Sequence, residues 1–300
     1  MRAPGKKQRP CAIPTAFIDP TTAPWALDMG SETSKVGLPT GAEAKAVVIP
    51  RIPQEIVDEI LDRLATDFDF RSLQSCALVS KSWIPSCRRH LFHTVLFTSK
   101  DRARWLETFP VPEESPAHFV RDLHFSGVHD SAPERLVEHA PWFTNVERVT
   151  LSGLGAVQRP WLRLFRRLPR SVTSLSISAE STTLPRIRDV ILQLPNLDDL
   201  SLSGSIVVAD WRVIPGMGTI LRGRFGGQLR LLKGLADDDI VNMLLEIPTG
   251  LYFSEVQICG TYERLLPTVR LTEACGKALV KLSYTVSFHC KSHLFSRPDW

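Results

Sequence analysis

Cys87, His90 and His93 stand three residues apart, and His289, Cys290 and His293 make a second cluster late in the chain. Thiolate and imidazole are zinc ligands, but a zinc site draws on about four convergent donors. Neither cluster supplies them alone, so no metal site is expected. The acidic run Asp237, Asp238 and Asp239 lacks the downstream ligands of a calcium loop and reads as a helix cap. In RPWLRLFRRLPR, the cations Arg159, Arg163, Arg166, Arg167 and Arg170 could meet RNA, an acidic tail or calmodulin. The simpler reading makes them the solvated side of an amphipathic helix, with Trp161, Leu164, Phe165 and Leu168 turned inward. Motifs GxSxG, HExxH, Walker A and a strand-linked GxGxxG are all absent. No catalytic residue and no cofactor is predicted.

What remains is recognition. Asp122, His124, Arg148, Thr150, Ser174, Ser176, Asp199, Ser201, Arg230, Glu255 and Gln257 lie between apolar residues in short alternating segments. Alternation sends neighbouring side chains to opposite faces of a strand, so these residues share a polar face and are the candidates for binding a partner. The central rows are nearly all hydroxyl. Such a row suits hydrogen bonding to a polar surface, although small Ser and Thr are also what crowded parallel strands tolerate.

The segments that carry these residues repeat. They are VRDLHF (120–125), VERVTL (146–151), VTSLSI (172–177), LDDLSL (197–202), GGQLRL (226–231), FSEVQI (253–258) and LVKLSY (279–284), with starts 26, 26, 25, 29, 27 and 26 residues apart. Period-two apolar residues of this kind make short strands with one buried face. Helical patches lie between them: PERLVEHA, PWLRLFRRL, PRIRDVILQL and DDDIVNMLLEI. The glycine-rich stretch 203–228 has no clear helix and reads as an inserted loop. The last repeat is followed by TVSFHCKSHLFSRPDW, which shows no obvious helix or cap.

Upstream, IPRIPQEIVDEILDRLATDF predicts a helix opened by Pro53, with Ile56, Val57, Ile60, Leu61 and Leu64 on one face and acidic residues early. A second helix is expected from about Arg71 to Ser80 and a third around Trp83 to His90. Three short helices make a very small core, a size that usually needs a partner or a neighbouring domain. Residues 1–46 are rich in Pro, Ala, Thr and Gly without a period and are expected to be a disordered leader. Within it, MGSETS from Met29 matches a myristoylation signal only in form, because the match is internal.

Composition narrows the setting. Apolar residues at 43%, charged residues at 23% and a net charge of +4 are ordinary for a soluble protein and do not call for nucleic acid. No run of 18 apolar residues exists, and MRAPGKKQRPCAIPTAF lacks the apolar core of a signal peptide. The six cysteines include no CxxC pair, which fits reduced thiols in the cytoplasm or nucleus.

The helical residues also carry a resemblance. Ile52-Pro53-x-Glu55-Ile56-x-x-x-Ile60-Leu61-x-x-Leu64, then Leu78-Val79-Ser80-Lys81-Ser82-Trp83, then Leu91-Phe92, resembles an F-box, and CALVSKSWIPSCRRHLF is similar to the F-box-like domains of mushroom-forming fungi. Phe92 replaces the usual second Trp, and the link between the first two helices is a few residues longer than in the commonest form. The downstream period resembles a degenerate leucine-rich repeat, without the Asn or Cys ladder position. Together these resemblances imply an α/β protein: a leader at 1–46, an F-box-like three-helix domain at 47–97, and about seven repeats of about 26 residues at 98–300 forming a solenoid with strands on the concave side. They imply docking on a Skp-type adaptor, and through it a cullin, by Ile52, Pro53, Ile56, Ile60, Leu61, Leu64, Val79 and Trp83, with Trp83 wedging the helices and the repeats presenting a client protein for ubiquitin transfer. The other expectation is structural: the helical unit is only an end cap for a repeat scaffold.

Overall fold

The computed structural model describes residues 52–127, 134–154, 159–207, 225–232, 238–247, 250–260 and 265–286. The leader, the MGSETS match and the His289/Cys290/His293 cluster lie outside the described residues. Backbone contacts divide the chain into two units, the first ending at His93 and the second beginning at Thr94.

In the first unit, Pro53 sets the start of α1 (Gln54–Thr66): its φ of −54° is already close to helical. Its carbonyl accepts the N–H groups of Ile56 and Val57 at 3.1 and 3.3 Å. Helix α1 ends where Phe68 adopts φ 57°, a left-handed conformation usually left to glycine. Asp69 then caps α2 (Phe70–Val79) by accepting the Ser72 N–H at 3.1 Å. A 3-10 turn at Lys81–Trp83 leads into α3 (Ile84–Leu91), with Pro85 in the first turn. The three expected helices are therefore present. Val57, Leu61, Leu73, Ala77, Cys87 and Leu91 are buried. The Ser86 hydroxyl donates to Asp58 at 2.8 Å, tying α3 to α1.

The second unit is mixed α/β. Among the described residues its eight strands, all parallel and paired in chain order, are β1 (Thr94–Phe97), β2 (Asp122–Ser126), β3 (Arg148–Leu154), β4 (Ser174–Thr183), β5 (Asp199–Val207), β6 (Gln228–Leu231), β7 (Glu255–Gly260) and β8 (Lys281–Val286). All seven repeat segments are strands. The eighth, β1, falls inside the span 47–97 expected as the helical domain, yet its Val95 and Phe97 pair with Leu123 and Phe125 of β2. The helices between strands include the four expected, α5 (Glu134–His139), α6 (Arg159–Arg167), α7 (Leu184–Ile191) and α8 (Asp238–Leu245), and two unexpected, α4 (Ser99–Thr108) and α9 (Leu265–Cys275). A capping box opens α4: Thr98 accepts the Asp101 N–H and Asp101 accepts the Thr98 N–H.

Why these segments stack is visible in two apolar ladders. Leu123, Val149, Leu175, Leu200, Leu229 and Val256 make one row, and Phe125, Leu151, Ile177, Leu202, Leu231 and Ile258 the other, each at most 1% exposed. Full burial of such a side chain contributes about 1.5–3 kcal/mol, which outweighs the weak pairing of any one short strand. Under the first strands the filling is aromatic: Phe97, Trp105, Phe125, Phe143, Trp161 and Phe165 touch in a chain of ring contacts, with the buried Arg102 guanidinium 5.2 Å from the Trp161 ring centre.

Backbone rungs repeat as well. The carbonyls of Arg121, Glu147, Thr173, Gly227 and Ser254 each accept two N–H groups from the start of the next strand. Just past the strands' polar rows, Gly127, Gly153 and Gly204 occupy equivalent positions with φ of 69°, 65° and 102°, conformations a side chain resists. Of the stretch expected as a loop, Ser203–Val207 continues β5, residues 225–228 lead into β6, and 208–224 lie outside the described residues. Among the described residues no helix is long and apolar enough to cross a membrane.

Candidate binding surfaces

On the helical unit the apolar stripe of α1 divides in two. Val57 and Leu61 are 1% and 0% exposed, while Ile56 and Ile60, one residue earlier and about 100° around the helix, are 48% and 46% exposed. Ile52 and Pro53 are exposed at the entrance, and Leu78 and Val79 at the end of α2. Leu64 and Trp83 are half-buried. Of the residues expected to dock, then, Leu61 is a correction: it is sealed inside, where packing on the neighbouring helices stabilises it, and offers no surface to a partner. Phe68, Leu78 and their exposure are what the sequence reading left out of the docking set. Exposed large apolar residues here are Ile52, Ile56, Ile60, Phe68, Leu78 and Val79, nearly as many as the unit buries. Among the described residues that is a large exposed apolar share for so small a unit.

Cys87 is buried and its thiol is pushed up to about 11 by that burial, so the group is protonated at neutral pH. His90 Nε2 lies 2.9 Å from Asp62, but burial, more than the nearby Arg89, holds the imidazole below its ordinary pKa. Among the described residues no group of three His, Cys, Asp or Glu converges on a common point.

On the sheet, strand register brings the expected polar residues into two rows. Asp122, Arg148, Ser174 and Asp199 pair in one, continued by Glu255 and Lys281 beside Gln228; His124, Thr150, Ser176, Ser201, Arg230 and Gln257 pair in the other. Sharing a face does not make them equally available. Asp122 is buried and accepts two hydrogen bonds from Arg148, and that pairing raises the Arg148 pKa despite some burial. Asp199 accepts the Gln228 N–H at 2.6 Å, while Asp198 accepts the Gly226 N–H. The two carboxylates thus replace the carbonyl rung at the β5–β6 junction, where the long connection interrupts the pattern. Ser203 turns its hydroxyl toward the Ile177 carbonyl at 3.4 Å. His124 is half-buried, which holds its pKa below the ordinary value against the pull of Asp122.

The far end is different. Gln228, Arg230, Glu255, Gln257, Lys281 and Ser283 line a polar hollow of about 110 Å³. Gln228 escaped the sequence reading because its segment begins with two glycines, which broke the expected apolar start.

The outer helices follow the simpler expectation for the arginine run. Trp161, Leu164, Phe165 and Leu168 are buried, and Arg163, Arg166, Arg167 and Arg170 are exposed. Arg166 donates to Gln193 beyond α7 and Arg167 to the Val137 carbonyl of α5, so these side chains also brace neighbouring repeats. Asp238 and Asp239 fall in the first turn of α8, as a capping run would; Asp237 lies outside the described residues.

Compared with known proteins, the chain matches no family model, no curated protein and no solved structure.

Proposed function

We propose that the protein is the substrate-recognition subunit of a cullin-type ubiquitin ligase, the helical unit being an F-box that docks on a Skp-type adaptor and the strand-and-helix unit being a leucine-rich-repeat solenoid whose polar face holds a client. The observation that carries this reading is the exposure of Ile56 and Ile60 beside the sealed Val57 and Leu61. The sequence resemblance supports it: Ile52-Pro53 leads into α1, Leu78 to Trp83 spans the end of α2 and the turn to α3, and Leu91-Phe92 closes α3. Catalysis by such a subunit is proximity: it raises the local concentration of a client lysine near a charged ubiquitin carrier and needs no acid, base or nucleophile of its own. The reading places the protein in the cytoplasm or nucleus, where adaptor and cullin would be met.

Co-expression with a Skp-type adaptor and affinity capture tests it. Wild-type chain should co-purify with the adaptor, and Ile56→Asp combined with Ile60→Asp should abolish capture. Both positions already face water, so the carboxylates leave the fold intact while placing charge in an apolar contact. Unchanged capture by a folded double variant sinks the docking assignment.

A further inference from the structure

Strands β6 to β8 gather hydrogen-bond donors at one end of the polar face. Arg230 pairs with Gln257 and Gln257 with Ser283, while one step back Gln228 pairs with Glu255 and Glu255 with Lys281. Arg230 and Lys281 are separated by two inter-strand steps of roughly 4.8 Å each and by two residues along the strand, roughly 6.6 Å, within joint reach of long side chains. All six residues border the hollow of about 110 Å³.

The charges in and near this hollow are unevenly matched. Arg148 is neutralised by Asp122, and Lys281 lies 3.4 Å from Glu255. Arg230 makes one hydrogen bond, from Nη2 to the Gln228 amide oxygen at 2.6 Å, and has no carboxylate partner among the described residues. An arginine fork keeps further N–H donors after that bond, in a plane suited to two oxygens at once. The Lys281–Glu255 contact is long and its side chains are 63% and 40% exposed, so it is a weak, replaceable pair. Gln257 and Ser283 add neutral donors.

We propose that this hollow is an anion subsite, in which Arg230 grips a carboxylate or phosphoryl group on a bound protein, with Lys281, Gln257 and Ser283 completing the donor set. Glu255 acts against the ligand: it holds Lys281 and repels an incoming anion, so it sets a threshold of negative charge for occupancy. The inference rests on the polar strand face being the binding surface of the proposed receptor, and not on the helical unit docking. Titration of the chain without adaptor therefore fails only with the subsite, whereas adaptor capture fails only with the docking assignment.

The test is calorimetric titration of the full chain with inorganic phosphate and, separately, acetate, at fixed ionic strength. At least one anion should bind saturably, phosphate assigning a phosphoryl source and acetate a carboxylate source. Arg230→Gln should weaken binding about tenfold or more, as loss of a charge-assisted pair does. Glu255→Gln should tighten it several-fold, a gain that misfolding cannot produce, and Arg163→Gln on α6 should leave it unchanged. Absence of saturable binding of both anions, or equal affinity in the Arg230→Gln chain, overturns the proposal.

Discussion

Arg148 closes over Asp122 from the neighbouring strand, its Nη2 donating to Oδ2 at 2.7 Å while its Nε donates to Oδ1. The acid is buried at 9% exposure and the Thr94 hydroxyl also reaches it, at 3.3 Å, so one carboxylate ties β1, β2 and β3 together. Arg148→Ala should cost about 1–3 kcal/mol, because it leaves a buried carboxylate short of donors. Adding Asp122→Asn should recover part of that loss. Urea unfolding of the single and double variants checks the order, and a double variant less stable than Arg148→Ala contradicts it.

Substitutions one residue apart on α1 should behave oppositely. Leu61→Asp places a carboxylate where nothing is exposed and should unfold the helical unit, with loss of several kcal/mol. Ile60→Asp, at a position 46% exposed, should change stability by less than about 0.5 kcal/mol. Circular dichroism during thermal melting separates the two.

How far the sequence led is clear from where it failed. The repeat was legible because buried positions recur in pairs, Leu123/Phe125 then Val149/Leu151 and onward, every 26 residues or so. Strand β1 shows the same pair in Val95 and Phe97, but Leu91-Phe92 just before it drew the boundary past it. Helix α4 was missed because Arg102 sits on its buried side, and a buried arginine disguises an apolar stripe. Its Thr98/Asp101 capping box was readable and is the signal that could have found it. On the polar face, residue type told which side chains point outward; it could not tell that Asp122 and Asp199 are already occupied, since their partners come from other strands.

Gly227 illustrates such an occupied site. A Cβ built there would stand 2.1 Å from Asp199 Oδ1 and 3.1 Å from the Asp198 carboxylate. Asp199 is pinned by the Gln228 N–H and cannot swing aside without giving up that bond. Gly227→Ala should therefore cost about 1–3 kcal/mol. In an Asp199→Ala background the same change should cost distinctly less, because the obstructing oxygen is gone. Equal penalties in both backgrounds, read from urea midpoints, would show that the clash is not the cause.

Acid should loosen the second unit, and the sign follows from His139. The side chain is 2% exposed, and its Nδ1 has no hydrogen-bond partner among the described residues. Burial chiefly, and Arg135 beside it, lower the imidazole pKa against the weaker opposing pull of Glu138 and Glu113. In the unfolded chain the group returns to about 6.5. Between that value and the lower folded one the unfolded state holds more protons, so stability is complete above about pH 6.5 and falls as the pH drops toward the folded pKa. His124 shifts in the same direction for the same leading reason and adds to the slope. Protonation of His139 would also bury a second donor with nothing to receive it, which is why this residue should dominate. Unfolding midpoints in urea should fall from about pH 7 to about pH 5.5, and His139→Gln should flatten that dependence. An unaltered slope in the variant would assign the acid response to other groups.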